Sequence, residues 1–319
     1  MLSIIRLALL LCLLIGPLLA SPALAAPPTV VASVKPVQSL VAAVMEGVGA
    51  PALLVPGAAS PHTYTLRPSD ARLLRGAGLV FWIGPIYESF LEKPVAALGG
   101  GAIIVRLADA PGVSVLRQRE GGAWGEEEAH HHESGSAGSA GDRPSDDPEG
   151  DGHVWLDPRN ARAMAAEIAE ALAAADPADA ARYRENAATT ARRLDALEDE
   201  LARRLAAVQG RPFVVFHDAY QYFERRFGLD AIGSIALHPD QKPGARRVRE
   251  LQARIRDLGG ACVFSEPQFE PALVRTLVVD SGARTGVLDP LGADVPDGPE
   301  AYFTVMRRLA DSLVACLAG

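Results

Sequence analysis

Short apolar runs alternate with helical patterns along most of the chain. Eight of the runs have the length and composition of buried strands; they cover residues 29–34, 52–55, 79–83, 102–107, 212–216, 231–235, 261–264 and 285–288. Helical patterns lie between them, for example over residues 69–76 and 244–258. Strands that alternate with helices are typical of parallel βα units. The two groups of four strands therefore predict two α/β lobes, each built on a parallel sheet.

One long helical pattern separates the two groups of strands. Asp176 and Pro177 form a start signal, with Asp as the N-cap and Pro at the first helical position. Leucines then recur every three or four residues and give one apolar stripe: Leu194, Leu197, Leu201 and Leu205. Residues 176–210 are thus predicted to form one rigid helix of roughly 50 Å that joins the lobes. Two shorter helices with a break near Asn186 are the alternative.

This pattern divides the chain into a first lobe over residues 27–175, the joining helix over 176–210 and a second lobe over 211–319. Residues 120–152 interrupt the first lobe with a stretch rich in Gly, Ser, Asp and Glu. Such a composition cannot bury enough apolar surface to order itself, which predicts a mobile surface loop. Within the loop lie three consecutive histidines, His130, His131 and His132, next to three glutamates.

The first 26 residues have the pattern of a secretory signal peptide. Arg6 precedes an apolar run over residues 7–15, and Ala23 and Ala25 give the small-x-small cleavage pattern. A membrane anchor is the alternative, but the apolar run is only about half a bilayer span. We therefore expect an exported, periplasmic protein that is not inserted in the membrane.

Composition and net charge limit the kinds of molecule or ion that the protein is suited to bind. The chain is 49% hydrophobic and 22% charged, as globular proteins are, and its net charge is −8. An acidic exported protein is poorly suited to nucleic acid or to anionic membrane surfaces, and a cation suits it better. After removal of Cys12 with the signal, Cys262 and Cys316 remain, and in an oxidising compartment they form either one disulfide or two buried thiols.

Candidate metal ligands lie at or just beyond predicted strand ends. His217 and Asp289 directly follow apolar runs, His62 comes shortly after the run over 52–55, and His153 follows the polar loop. Ligands of parallel sheets bind outside the carboxyl ends of the strands, so one cleft is consistent with all four. Three imidazoles and one carboxylate suit tetrahedral Zn²⁺, whereas Ca²⁺ or Mg²⁺ prefers oxygens. Each histidine taken alone is more often a hydrogen-bonded surface or core residue than a metal ligand.

Five segments in order carry a family resemblance over essentially the whole mature chain. They are residues 61–70 (PHTYTLRPSD), 153–158 (HVWLDP), 216–223 (FHDAYQYF), 264–269 (FSEPQF) and 288–292 (LDPLG). Together they resemble the zinc-specific substrate-binding proteins of bacterial ABC importers. The resemblance implies two α/β lobes joined by a rigid helix, with Zn²⁺ as the transported ligand between them. The implied partner is the membrane permease of a zinc ABC importer, and we expect the binding protein to be a monomer.

The resemblance also implies roles for individual residues. His62, His153 and His217 match the imidazole ligands, and Asp289 matches a carboxylate beside the ion. Relatives that transport manganese carry Glu at the position of His217, which favours zinc here. Some zinc-binding relatives have an acidic residue immediately before the first histidine, whereas this chain has Pro61, so the fourth position is left to Asp289 or a water. Cys262 and Cys316 match the positions of a disulfide in zinc-binding relatives.

Two further groups have less defined roles. His130, His131 and His132 are interpreted either as an accessory site that collects zinc or as a polar loop with incidental metal affinity. Glu266 follows a predicted buried strand and either orients a metal ligand or is a capped or ion-paired carboxylate.

Three functions remain open on the sequence. The first is zinc capture for uptake. The second is a zinc-dependent hydrolase that uses the same three histidines, and the third is an adhesin with the same fold. Hydrolysis requires a general base and a substrate pocket, and no motif pair in the sequence supplies them.

Overall fold

A computed structural model describes residues 28–98, 100–119, 124, 150–236, 244–257, 261–269, 272–279 and 281–319. The predicted signal peptide and His130, His131 and His132 lie outside these residues. The strands are β1 (Val30–Ala32), β2 (Ala52–Leu53), β3 (Leu79–Trp82), β4 (Ile103–Arg106), β5 (Pro212–His217), β6 (Asp230–Ala236), β7 (Cys262–Ser265) and β8 (Arg284–Val287). The helices are α1 (Lys35–Val44), α2 (Pro68–Arg75), α3 (Glu92–Ala96), α4 (Pro158–Ala175), α5 (Ala180–Leu205), α6 (Gln221–Phe227), α7 (Ala245–Asp257), α8 (Ala272–Val278) and α9 (Ala301–Leu317).

The strands form two parallel four-stranded sheets, which confirms the predicted α/β fold. The first sheet has the order β2-β1-β3-β4 and the second the order β6-β5-β7-β8. All eight predicted strands are present, and the central strands of each sheet, β1, β3, β5 and β7, are almost completely buried. Since the strands of one sheet are parallel, their carboxyl ends share one edge. His217 ends β5 there, and Glu266 follows β7 at the same edge.

The joining helix α5 begins later than its start signal predicts. Helix α4 continues to Ala175, and the amide of Asp176 still donates to the carbonyl of Leu172 at 2.8 Å. Asp176 is therefore the C-cap of α4, and Asp179 precedes α5 as its N-cap. The carboxylate of Asp176 instead accepts a hydrogen bond from the hydroxyl of Tyr183 at 2.9 Å. The N-cap prediction was wrong because the alanine-rich helix before it extends to the same aspartate.

No break occurs near Asn186, which lies inside α5. Its side-chain amide donates to the carbonyls of Val44 at 2.9 Å and Glu46 at 2.8 Å, at the end of α1. The four leucines of the predicted stripe are all buried. Helix α5 therefore packs along the first lobe instead of spanning open solvent.

Helix α5 also packs along the second lobe through α9. Three ion pairs join residues 107 positions apart in the sequence: Arg193 with Glu300, Glu200 with Arg307, and Arg204 with Asp311. The constant offset shows that the two helices run parallel and in register. Helix α9 reaches the first lobe as well, because the amide of Tyr302 donates to Ser39 Oγ at 2.9 Å and its hydroxyl to the carbonyl of Trp155 at 2.8 Å. The largest hydrophobic core consequently runs through both lobes without interruption.

The other face of the second sheet has its own smaller core beneath α7 and α8, with Val214, Ile235, Leu251 and Leu277 among its buried residues. A disulfide joins Cys262 of β7 to Cys316 of α9, with the Cα atoms 6.1 Å apart, so the predicted bridge is confirmed. Among the described helices, none combines the length and the apolar character needed to cross a membrane.

Candidate metal centre

Three histidines from both lobes meet in the cleft. His62 lies in the 3₁₀ turn Pro61–Thr63 after β2, His153 precedes the 3₁₀ turn Val154–Leu156, and His217 is the last residue of β5. One nitrogen from each ring lies within 4.8 Å of the others. The Nε2 atoms of His153 and His217 are 3.3 Å apart. These two rings are buried, at 5% and 4% exposure, and His62 is the most exposed of the three.

In each buried histidine, the second ring nitrogen, Nδ1, lies within hydrogen-bond distance of a carboxylate. His153 Nδ1 lies 2.7 Å from Asp151 Oδ1, and His217 Nδ1 lies 2.8 Å from Glu266 Oε1. An ionised carboxylate only accepts hydrogen bonds, so Nδ1 carries the proton in both rings and Nε2 offers its lone pair. The two lone pairs therefore face the same point between the lobes, which is the arrangement that a metal ion requires.

The same carboxylates bind the backbone of their histidines. Asp151 Oδ1 also accepts the amide of His153 at 2.9 Å, and Glu266 Oε1 accepts the amide of His217 at 3.3 Å. Burial disfavours the charged form of His217, but the charge and hydrogen bond of Glu266 outweigh it, so the pKa of His217 is raised. Glu266 thus contacts both the ring and the amide of His217, and Asp151 makes the same two contacts with His153.

Aromatic rings form the wall of the centre, and no local sequence pattern assigned this role to them. The ring centroid of Tyr87 lies 5.1 Å from His62 and 5.0 Å from His153, and Trp155 packs 4.8 Å from Tyr87. Gly152 makes this approach possible, because a Cβ there would lie 2.6 Å from the Cβ of Tyr87. On the opposite side, the ring of Phe269 packs 5.6 Å from His217. These rings limit the orientations that the imidazole rings can adopt, and they surround the polar centre with apolar groups.

Asp289 is not part of the group of converging ligand atoms. Its Oδ1 accepts hydrogen bonds from Gln268 Nε2 at 2.8 Å and from the amides of Leu291 at 3.1 Å and Gly292 at 2.9 Å. Its Oδ2 accepts the amide of Ala293 at 2.6 Å. The carboxylate is thus engaged in shaping the turn that follows β8. The structure brings three of the four predicted ligands together and leaves Asp289 beside them.

The predicted mobile loop over residues 120–152 is held against the second lobe at two places. Trp124 is 7% exposed; its amide donates to the carbonyl of Ile232 at 3.0 Å, and its ring centroid lies 3.7 Å from the guanidinium carbon of Arg119. Asp151 is 4% exposed. The prediction was wrong for these residues because composition does not register single anchoring contacts. Residues 120–123 and 125–149, with their three histidines, lie outside the described part of the chain.

Chemically, the centre offers three nitrogen ligands and one open direction. Neutral imidazoles bind Zn²⁺ at about 2.0–2.1 Å, and four-coordinate zinc accepts three protein ligands with a fourth from elsewhere. The cluster contains no oxygen cage of the kind that Ca²⁺ or Mg²⁺ requires. The donor set therefore fits Zn²⁺ better than either of these ions.

The chain is similar over most of its length to known proteins of metal uptake. The model of the family described as zinc-uptake complex component A, periplasmic, matches residues 30–316. A high-affinity zinc uptake system protein ZnuA of Brucella suis biovar 1 (strain 1330) is 48% identical over 308 residues, which cover 91% of each chain. The protein with the same description from Yersinia pestis is 36% identical over 306 residues, which cover 94% of each chain.

Solved structures share the fold at lower sequence identity. A crystal structure of ZnuA aligns with a TM-score of 0.73 at 24% identity and covers 91% of this chain and 98% of that one. The periplasmic zinc binding protein TroA from Treponema pallidum aligns with a TM-score of 0.73 at 21% identity and covers 91% and 99%. This likeness supports the two-lobed α/β architecture described above.

Proposed function

We propose that this chain, which belongs to the family of periplasmic zinc-uptake components, captures Zn²⁺ and delivers it to the membrane permease of an ABC importer. Zinc is then the transported ligand and not a resident cofactor. We further propose that His62, His153 and His217 are its protein ligands. Residues 1–26 direct export as a cleaved signal peptide, and the mature chain acts as a monomer.

The observation that carries the ligand assignment is the separation of the two buried Nε2 atoms. In a regular tetrahedron with metal–nitrogen bonds of about 2.0–2.1 Å, two ligand atoms lie about 3.3–3.4 Å apart. His153 Nε2 and His217 Nε2 are 3.3 Å apart, and each ring is fixed by its own carboxylate. The two imidazoles are thus already arranged for one zinc ion. His62, on the more exposed side, supplies the third nitrogen.

A water molecule is proposed for the fourth position. Asp289 was the other candidate, but its two oxygens accept four hydrogen bonds from the surrounding turn and from Gln268. Moving the carboxylate to the ion would leave several of those donors without a partner, at about 1–3 kcal/mol for each buried one. An open, water-filled position also lets the ion leave without breaking a carboxylate bond.

A zinc-dependent hydrolase with the same centre is the less favoured alternative. A zinc-bound water becomes a nucleophile when a neighbouring base takes its proton. The two carboxylates closest to the rings, Asp151 and Glu266, each already accept the Nδ1–H of a ligand histidine. Their position behind the imidazoles suits orientation of the ligands and not proton transfer in front of the metal. Family membership also favours transport.

Zinc titration of the mature chain tests this proposal. We expect one tight site per molecule, and we expect His217→Ala to weaken it by more than the roughly 100-fold upper range found for residues behind the ligands. The reason is that one of three nitrogen ligands is lost outright. Competition against a chelator of known affinity measures the dissociation constants.

The matched control replaces the three histidines of the loop, as His130→Ala/His131→Ala/His132→Ala. This variant removes as many imidazoles as the centre contains, and it should keep the tight site. Wild-type affinity in His217→Ala would refute the ligand assignment. Ester or peptide hydrolysis that rises with zinc occupancy would support the enzyme instead.

A further inference from the structure

The chain segments on either side of the polar loop lie against helix α6 of the second lobe. Arg117 and Gly150 form an antiparallel bridge, and the amide of Asp151 donates to the carbonyl of Leu116 at 2.8 Å. These paired segments, residues 116–117 and 150–151, are called the loop base below. They belong to the first lobe in sequence, since the chain continues from them directly into His153.

The hydroxyl of Tyr222, on α6, joins the two segments of the loop base. It accepts a hydrogen bond from the amide of Leu116 at 2.8 Å and donates one to the carbonyl of Asp151 at 2.6 Å. Tyr222 is 3% exposed. The buried hydroxyl of Tyr222 is therefore both donor and acceptor, and it holds backbone of the first lobe on a helix of the second lobe.

The preceding residue of α6, Gln221, binds the loop base through its side chain. Its Nε2 donates to the carbonyl of Arg117 at 3.0 Å and to Asp151 Oδ2 at 2.6 Å. The other oxygen of the same carboxylate, Oδ1, holds both the amide and Nδ1 of His153. A continuous series of contacts thus runs from α6 through Asp151 to an imidazole of the zinc centre.

His217 takes its carboxylate partner from its own lobe. Its carboxylate partner, Glu266, follows β7, which is paired directly with β5 in the same sheet. The ring and its partner are thus fixed by one sheet. His153 instead lies at a turn, and its partner is fixed by a helix of the opposite lobe.

We propose that Gln221 and Tyr222 are positioning residues for zinc, which act on His153 through Asp151. The proposal rests on the zinc-capture function proposed above. It makes the affinity of the first-lobe ligands depend on contact between the lobes, because His153 is aimed at the ion only while α6 holds the loop base. Separation of α6 from the loop base then weakens zinc binding without any change in the ligands themselves.

The test measures zinc affinity in Gln221→Ala and Tyr222→Phe by chelator competition. Each should raise the dissociation constant by about 10-fold or more, as loss of a partner behind a metal ligand does. Gln252→Ala and Tyr183→Phe are the matched controls. They remove side-chain hydrogen bonds of similar length, to the carbonyl of Thr276 at 3.1 Å and to Asp176 at 2.9 Å, that contact neither α6 nor the centre. Both controls should bind zinc as the wild type does.

A double-mutant cycle separates positioning from general loss of structure. In a His153→Ala background, Gln221→Ala should change the affinity by less than about twofold, because the ring on which it acts is gone. The absorption spectrum of bound Co²⁺ gives a second measurement, since it responds to ligand geometry. It should differ from wild type in Gln221→Ala and match it in Gln252→Ala.

The outcomes distinguish this inference from the function on which it rests. Equal losses from Gln221→Ala with and without His153, or no loss in either, overturn the positioning role. If His153→Ala itself binds zinc as tightly as wild type, the ligand assignment fails instead. Loss in Gln221→Ala that disappears in the His153→Ala background supports both.

Discussion

The two buried histidines each have a carboxylate partner, but different structural elements hold them in place. His217 ends a strand, and Glu266 follows the neighbouring strand of the same sheet. His153 precedes a 3₁₀ turn, and Asp151 lies only two residues before it in the chain. A strand end is fixed by its sheet, whereas a turn depends on the contacts around it. The ring and carboxylate of the second-lobe half are therefore held by one sheet, whereas the first-lobe half takes its geometry from contacts around a turn.

The largest effect on zinc affinity among the carboxylate partners is expected from Asp151→Asn. The amide keeps an acceptor for His153, but its NH₂ group then faces the NH₂ of Gln221, where a carboxylate oxygen now accepts at 2.6 Å. Two NH₂ groups that face each other in a buried place cannot form a hydrogen bond, so the turn that carries His153 should shift. We therefore expect the zinc affinity to fall about 100-fold. Chelator competition near neutral pH measures it, with Asp176→Asn as a buried carboxylate control.

A smaller effect is expected from Glu266→Gln, because the sheet still holds His217. The retained oxygen can accept both the ring and the amide of His217, so we expect a loss of about 10-fold at neutral pH. If Glu266→Gln lost more zinc affinity than Asp151→Asn, His217 at its strand end would depend more on its carboxylate partner than His153 does. The contrast between the two histidines would then be reversed.

The same variant should change the pH dependence of zinc binding. Zinc needs the neutral imidazole, so zinc is lost as pH falls through the raised pKa of His217. Glu266 makes the main contribution that raises this pKa, so without its charge the effect of burial, which lowers the pKa, has more weight. The midpoint of zinc loss in Glu266→Gln should therefore move to lower pH in titrations from about pH 8 to 5. A midpoint that stays or rises would show that Glu266 does not set this pKa.

The smallest effect on zinc affinity is expected from removal of the disulfide. The register of β5 and β7, with Phe213 opposite Cys262, already places Glu266 behind His217. Cys262→Ala/Cys316→Ala should thus change affinity by less than about twofold. Its free energy of unfolding should fall by about 4 kcal/mol, the chain-entropy value for a bridge that spans 54 residues. Urea unfolding and zinc titration measure the two quantities. A tenfold loss of zinc affinity would show that the sheet alone does not keep Glu266 behind His217.

The same contrast explains which features could be predicted from sequence. The eight strands and His217 were predictable because apolar runs and strand ends are local signals in the chain. His62 and His153 lie on turns, and only the family motifs around them indicated their role. Tyr87 and Tyr222 reach the centre through contacts between distant segments, which no local pattern contains.

Asp151 shows a prediction that failed for an identifiable reason. It falls at the end of a polar stretch whose average composition indicated a mobile loop, yet it is buried beside His153. A local signal was available, since an aspartate two residues before a histidine can bind that histidine's own amide, as it does here at 2.9 Å. Asp289 lies just after a strand, as predicted, and its carboxylate accepts backbone amides of the following turn, so its role as a ligand stays a prediction.

The parallel pairing of α5 with α9 joins segments that are far apart in the sequence. The three ion pairs of that pairing each join residues 107 positions apart, so they form only after α9 has been synthesised. Helix α9 is also the element whose Tyr302 holds the carbonyl of Trp155, two residues beyond His153. A nascent chain that lacks α9 has neither support, and contacts so distant in sequence are slow to form. The turn that carries His153 therefore rests in part on the last helix of the chain.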